Sequence, residues 1–211
     1  YDDCLYSANL TKLLFVPCGR TKPVILPQGT LVVASNSFIN SRVSFVSFNE
    51  EIVEIQSRAF FRSSLTRLVL RGNINVIQEE AFLNCSDLIG VILPIQITNI
   101  APSLFRNCIN LQRVGFGKMV TSIGQYAFFN CQKLESIPYC PDLEELGQYA
   151  FVLSGLTEFF IGSKLKSWNL SLHGTKISAI SIDKNNKYFT LYNMCVYSTD
   201  YTILYLVPHN N

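Results

Sequence analysis

The chain has 211 residues, of which 48% are hydrophobic and only 15% are charged, and its formal net charge at pH 7 is +2. Because an average soluble domain carries roughly 25% charged residues, this balance indicates that much of the chain is buried. The small net charge, without a run of Lys or Arg, argues against a nucleic-acid partner. The longest apolar stretch, 88–95, is interrupted by Gly90 and Pro94, and it is shorter than the roughly 20 residues of a membrane-spanning helix. We therefore expect no direct membrane insertion by this segment.

Residues 1–20 are predicted to form a β-hairpin unit, because Tyr6, Ser7 and Asn9 lie between two apolar runs. The same pattern returns near the other end. Residues 4–17 align without gaps with residues 195–208, and seven of the fourteen are identical at an offset of 191. We therefore expect a second hairpin unit within 183–211. Either such hairpins separate successive arrays in a longer protein, of which this sequence is a segment, or two caps of one protein share an ancestor.

Between the hairpins, residues 21–182 contain an internal repeat. Phenylalanines recur at spacings of 22, 22, 23, 23 and 23, and Leu172 follows 21 residues after the last of them: Phe38, Phe60, Phe82, Phe105, Phe128 and Phe151. An aliphatic residue stands five positions before each Phe, and a small residue usually stands directly before it. A fixed period of this length is typical of stacked repeats that share one continuous core.

Each repeat is predicted to contain two short strands. An L-x-x-V-x-L stretch follows each Phe or its replacement Leu172, and its last four residues alternate with a period of two: 43–48, 65–70, 88–93, 111–116, 134–139, 156–161 and 177–182. An aliphatic pair before the Phe, such as Ile97 and Ile100, indicates a second strand, and the segment 78–82 has the composition of a short helical turn. The predicted fold is a curved, right-handed leucine-rich repeat solenoid (α+β) of about seven 21–23-residue repeats, packed with both hairpin units as one continuous domain.

The repeat resembles a known family. The stretch 122–134 (SIGQYAFFNCQKL) is similar to the BspA-like, or treponemal-type, leucine-rich repeat. This resemblance covers most of the chain and implies an exposed, non-enzymatic binding solenoid, since members are commonly surface antigens and adhesins. Two copies depart from the pattern: the one at Leu172 lacks the Ala-Phe pair, and the first lacks both the small-Cys pair and the Leu that normally follow, and has Ser41-Arg42-Val43 there. Both lie near the array ends, where atypical capping repeats are expected.

The cysteines are predicted to be mainly structural. Cys85, Cys108 and Cys131 stand three positions after a repeat Phe, where other copies have Ser41, Ser63 and Ser154. Both residue types are small and can donate a weak hydrogen bond to a neighbouring carbonyl. We therefore expect a ladder rather than disulfides, although rungs about 4.8 Å apart would allow a bridge. The redox state of the remaining four is left open: Cys4, Cys18, Cys140 and Cys195.

No pattern in the sequence indicates catalysis, a cofactor or a metal. Neither Cys-x-x-Cys nor His-x-x-x-His occurs, and 115–118 lacks the spacing of a phosphate-binding loop. The two histidines are His173 and His209, and a Cys195–His209 pair has no nucleophile signature around it. We therefore expect no enzymatic activity. Sequons at Asn9, Asn84 and Asn169 give weak support for secretion.

The L-x-x-V-x-L strands are predicted to line a concave face that holds a partner. Residues that alternate with the buried ones must point outward, and those that suit binding are Phe45, Arg67, Val69, Arg71, Ile92, Arg113, Glu158 and Phe160. Arginine and aromatic residues are enriched at binding hot spots, whereas the alternative is ordinary solubilising charge on a sheet face. The cationic residues lie in the N-terminal half and Glu158 in the C-terminal half.

The functional hypothesis is a cell-surface or secreted protein-binding and adhesion module that recognises a host cell-surface or matrix protein. The alternative is a structural spacer array within a longer surface protein. A binding module should bind strongly as an isolated segment, whereas a spacer should be inert. Uncapped solenoid ends would also permit self-association.

Overall fold

The computed structural model describes residues 1–168 and 170–208. These residues form a β-solenoid of about eight turns, which confirms the leucine-rich repeat solenoid. Its strands, in chain order, are β1 (Leu5–Tyr6), β2 (Lys12–Phe15), β3 (Val24–Ile25), β4 (Val32–Val33), β5 (Val46–Ser47), β6 (Glu54–Ile55), β7 (Arg67–Val69), β8 (Val76–Ile77), β9 (Gly90–Ile92), β10 (Asn99–Ile100), β11 (Arg113–Gly115), β12 (Ser122–Ile123), β13 (Glu145–Leu146), β14 (Glu158–Ile161), β15 (Ala179–Ile182), β16 (Phe189–Tyr192), β17 (Cys195–Ser198) and β18 (Leu204–Leu206).

Two parallel ladders run along the solenoid. The first ladder contains β3 and the strands of the L-x-x-V-x-L stretches, in three sheets: β3–β5, β7–β9–β11 and β14–β15. The second ladder joins β2–β4–β6–β8 and β10–β12–β13, and a bridge from Glu145 to Ser167 extends it by one rung. In β7, buried Leu68 lies between exposed Arg67 and Val69, as the period-two pattern predicts. The ladders therefore enclose one apolar core that extends from Cys4 to Val196.

The repeat phenylalanines stack as a continuous column inside the solenoid. Successive rings from Phe38 to Phe151 have centroids 4.5, 5.1, 5.5, 5.5 and 5.1 Å apart, with interplanar angles of 6–21°. All six side chains are fully buried. Offset stacking at these distances adds to the stabilisation that burial alone gives. Phe159 of β14 packs edge-on against Phe151, the last ring of the column, at 6.1 Å.

The predicted helical turns are wrong: the described residues contain no helix. Around each Phe the chain makes consecutive tight turns, and the residues two before and two after have positive φ, for example Arg58 (56°) and Arg62 (55°) around Phe60. Left-handed residues interrupt helical hydrogen bonding. The freed N–H groups donate to the next turn of the solenoid instead, as Phe60 N does to Ala81 O at 2.8 Å. Residues 1–168 and 170–208 accordingly include no helix that could span a membrane.

The two hairpins form the ends of the solenoid. β1 and β2 pair antiparallel, and β2 then pairs in parallel with β4, so that β2 is the first strand of the second ladder. At the other end β16, β17 and β18 form a three-stranded antiparallel sheet. The N-terminal turn formed by β2 and β3 explains why the solenoid has about eight turns and not the seven that the repeats indicate.

One predicted strand is missing from the first ladder. Residues 134–140 have no strand assignment, although 134–139 carry the L-x-x-V-x-L spacing. Pro138 has no N–H to donate to a neighbouring strand. In this turn Tyr139 is exposed and Cys140 is buried, and the Cys140 thiol donates to Pro138 O at 3.1 Å. The proline therefore divides the first ladder between β11 and β14.

Candidate partner-binding face

The outward side of the first ladder, here called the first-ladder face, carries the residues predicted to bind a partner. Its centre is the sheet β7–β9–β11, whose register places Arg67, Gly90 and Arg113 in one row. Because neighbouring strands lie about 4.8 Å apart, the two arginine backbones are roughly 10 Å apart across Gly90. The adjacent row contains Val69, Ile92 and Gly115.

Gly90 produces an open depression between the two arginines. The depression has a volume of about 590 Å³ and includes both rows. A Cβ at Gly90 would find only Arg113 O within 4 Å, at 3.9 Å, so the space above this glycine is empty. Arg67 and Arg113 line this depression on two sides, and the exposed Ile92 side chain lines it along the strand that contains Gly90.

A second depression of about 510 Å³ adjoins the first and shares Arg67 and Val69 with it. It is also lined by Phe45 and Arg71, and the Phe45 side chain is 52% exposed. Among the described residues, no carboxylate forms an ion pair with any of the three arginines Arg67, Arg71 and Arg113. The structure thus brings six of the predicted residues to one surface: Phe45, Arg67, Val69, Arg71, Ile92 and Arg113.

Glu158 and Phe160 lie elsewhere on the first-ladder face. They line a smaller depression of about 290 Å³ beyond the interruption at Pro138. Phe160 is only partly exposed, because the Tyr139 ring packs edge-on against it at 4.8 Å. Burial raises the pKa of the neighbouring Cys140 thiol to about 12, so this thiol is protonated at neutral pH. The predicted strip therefore consists of two separate surfaces.

Sequence reasoning missed three exposed apolar residues near these surfaces: Ile25, Ile95 and Tyr139. Ile25 lies in β3, beside Ser47 of β5, and is 64% exposed. The repeat spacing could have predicted this strand, since Val24 precedes Val46 by one repeat of 22 residues. Tyr139 points outward only because the strand is broken at Pro138, and no periodic pattern predicts that reversal.

The three repeat cysteines lie on the inner side of the turns. Each thiol donates to the carbonyl of the Phe one turn earlier: Cys85 to Phe60 at 2.9 Å, Cys108 to Phe82 at 3.2 Å and Cys131 to Phe105 at 3.1 Å. Ser63 extends the row by contacting Cys85 Sγ at 3.4 Å. Burial raises the pKa of Cys108 and Cys131 well above that of a free thiol. None of the seven cysteines is disulfide-bonded, and Cys18 is exposed.

The described part of the chain contains no candidate metal site. There, no group of three His, Cys, Asp or Glu side chains could hold a metal ion. His173 is exposed. The Cys195–His209 pair considered from the sequence cannot be located, because His209 lies outside the described residues. The sequon residue Asn169 lies outside them as well.

The sequence repeat matches a described family. A family model for the BspA type leucine-rich repeat region matches residues 8–124 and 87–200, in six copies. The chain belongs to this family. No curated protein is a significant match in sequence.

Solved leucine-rich repeat structures are similar to this BspA-type chain in fold. A leucine-rich repeat protein from Bacteroides ovatus has a TM-score of 0.67 and 18% identity, over 83% of this chain and 54% of that one. One from Eubacterium ventriosum has a TM-score of 0.61 and 21% identity, over 74% and 49%. A leucine-rich cell surface protein from Faecalibacterium prausnitzii has a TM-score of 0.60 and 17% identity, over 92% and 56%. The chain thus spans about half the length of these proteins.

Proposed function

We propose that this chain is a non-catalytic binding module that attaches to a host cell-surface or extracellular-matrix protein through the first-ladder face. The observation that supports this most is the sheet β7–β9–β11, in which Arg67 and Arg113 flank the open space above Gly90. Exposed Val69 and Ile92 lie directly beside this space. Unpaired guanidinium groups next to exposed apolar side chains are the combination found at interface hot spots.

The geometry favours a partner that presents an acidic side chain within an apolar segment. A carboxylate above Gly90 would be within reach of both guanidinium groups, and arginine binds carboxylates with two parallel hydrogen bonds. Apolar groups of the partner would cover Val69, Ile92 and Phe45. Covering these residues contributes roughly 25 cal/mol for each Å² of apolar surface removed from water.

Display at a cell surface, or secretion as part of a longer protein, belongs to the same proposal. It is supported by membership of the BspA-type family. The similar protein from Faecalibacterium prausnitzii is described as a cell surface protein. A surface antigen would need an exposed, chemically distinctive face, and the first-ladder face has that character.

The test is binding of the purified chain to cultured epithelial cells and to purified extracellular-matrix proteins. We compare the wild type with the triple variant Arg67→Glu, Arg71→Glu, Arg113→Glu. The matched control reverses three exposed lysines outside both depressions: Lys133→Glu, Lys176→Glu and Lys187→Glu. Both variants change the net charge by the same amount, and melting curves check that both are folded.

We expect the arginine variant to lose binding at least tenfold and the lysine control to retain it. Equal losses in both variants would indicate unspecific charge attraction and contradict the assignment of the face. If the folded wild type binds none of these targets, the proposal fails, and the spacer role becomes the better explanation.

A further inference from the structure

The two terminal hairpins have the same strand register. In the N-terminal hairpin Leu5 pairs with Phe15 and Tyr6 with Leu13. Adding 191 to each number gives the pairs of the C-terminal hairpin, Val196 with Leu206 and Tyr197 with Leu204. Both hairpins also have an irregularity in register between these two pairs. The sequence duplication is therefore a duplication of structure.

The turns of the two hairpins are closed by equivalent hydrogen bonds. Asn9 Oδ1 accepts from Ser7 Oγ at 2.8 Å, from Thr11 N at 3.3 Å and from Thr11 Oγ1 at 2.8 Å. Asp200 Oδ1 accepts the equivalent bonds from Ser198 Oγ at 2.5 Å, from Thr202 N at 3.1 Å and from Thr202 Oγ1 at 2.8 Å. An amide and a carboxylate thus serve the same purpose, and the two hairpins are one building unit used twice.

The N-terminal hairpin buries the side that faces the next turn of the solenoid, whereas the C-terminal hairpin leaves the same side exposed. Strand β2 carries the first turn of the array, because Thr11 O accepts from Leu31 N and Val32 N at 2.8 and 3.1 Å. Leu13 and Val16 are consequently 0% exposed. Their equivalents are Leu204, in the edge strand β18, and Val207, directly after it, and these side chains are 51% and 61% exposed.

The opposite side of the unit shows the reverse pattern. At the C-terminal end β16 pairs along the outer side of β17, and Val196 is 0% exposed. Its equivalent Leu5, in the edge strand β1, is 57% exposed. Each hairpin thus exposes the side that the other hairpin buries against an array. An exposed edge strand with apolar side chains is a site for pairing with a further strand.

We propose that the hairpin is a two-sided joint between consecutive leucine-rich repeat arrays, and that the edge of β18 binds the first turn of a second copy of this array in tandem. The second copy's Val32 and Val33 pair in parallel with Ile203 and Leu204, as Val32 and Val33 pair with Lys12 and Leu13 within this chain. Leu204 and Val207 then become buried. The second copy needs no hairpin of its own, because it uses the one that precedes it.

The test is a tandem protein in which residues 1–211 are followed directly by residues 21–211 of a second copy, which preserves the offset of 191. Each copy has a single tryptophan, Trp168, which is buried and stacked on Phe189 at 4.8 Å. Trp168→Phe in the first copy makes the remaining tryptophan report on the second array alone. Hydrogen exchange of the second copy's residues 31–34 provides a readout that is independent of this variant.

We expect the second array to unfold cooperatively and its residues 31–34 to exchange as slowly as in the single chain. Leu204→Asp in the first copy should lower the melting temperature of the second array by about 10 °C, because it places a charge in a buried position. In the single chain the same change should lower it by less than about 2 °C, whereas Leu13→Asp should have the larger effect. A second array that is unfolded, rapidly exchanging or insensitive to Leu204→Asp would overturn the proposal.

Discussion

The Phe column and the first-ladder face follow the same turns of the solenoid, but they differ in how their residues change from turn to turn. In the column every turn from Phe38 to Phe151 repeats one side chain, and successive rings are 4.5–5.5 Å apart. On the face, the successive positions of one row are Arg67, Gly90 and Arg113. A buried ring must fit the rings above and below it, whereas an outward side chain contacts mainly solvent. We infer that the repeated interior determines stability, and the proposed binding depends on the varied face.

The largest expected effect is in the column. Phe105→Ala removes a ring stacked 5.5 Å from both Phe82 and Phe128, and it should lower the free energy of unfolding by about 3–5 kcal/mol. The matched control is Phe45→Ala on the exposed face, which should change stability by less than about 0.5 kcal/mol. Chemical denaturation measures both. Equal losses of unfolding free energy in the two variants would contradict the inference that the interior, and not the face, determines stability.

A smaller effect is expected at the cysteine ladder. Cys108→Ser retains a hydroxyl that can donate to Phe82 O, and it should cost about 1 kcal/mol. Cys108→Val loses the donor and adds volume at a fully buried position, and should cost about 1–3 kcal/mol. Chemical denaturation measures the free energy of unfolding of both cysteine variants. A valine variant as stable as the wild type would show that the thiol acts only as a small apolar group.

A further modest change in stability is expected at Asn107, at the boundary between interior and surface. Asn107 has a φ of 61°, donates to Asn84 Oδ1 at 2.8 Å and accepts from Asn130 Nδ2 at 3.1 Å. Asn107→Ala should cost about 1–2 kcal/mol, because alanine disfavours the left-handed conformation. Asn107→Gly loses the same side-chain bonds but adopts this φ freely, so it should cost less. If both variants lose equal stability, the side-chain bonds and not the backbone conformation are decisive.

The sequence allowed much of the fold to be predicted, because buried positions repeat. The spacing of the phenylalanines gave the column, and the period-two pattern gave strands such as β7 and β9. The turns were mispredicted as helical because left-handed residues include Arg58, Arg62 and Leu153, whose side chains carry no signal for that conformation. Asparagines such as Asn107 tolerate it, but they occupy only some of the turns.

The candidate site was less predictable than the fold. Alternation identified which residues point outward, and six of them share one surface. The separation of Glu158 and Phe160 depends on Pro138, whose missing N–H interrupts the ladder. The space above Gly90 depends on the register of three strands, which sequence alone did not assign.

Binding of a Gly90→Leu variant to a target that the wild-type chain binds tests the proposed role of the first-ladder face most directly. A Cβ at this position would lie 3.9 Å from Arg113 O, which is an ordinary contact. A leucine leaves the net charge unchanged, and its side chain would extend into the space between Arg67 and Arg113. We expect this variant to have wild-type stability, within about 0.5 kcal/mol, and to lose at least tenfold in affinity in a titration. Unchanged affinity in the folded variant would contradict the claim that the first-ladder face holds the partner.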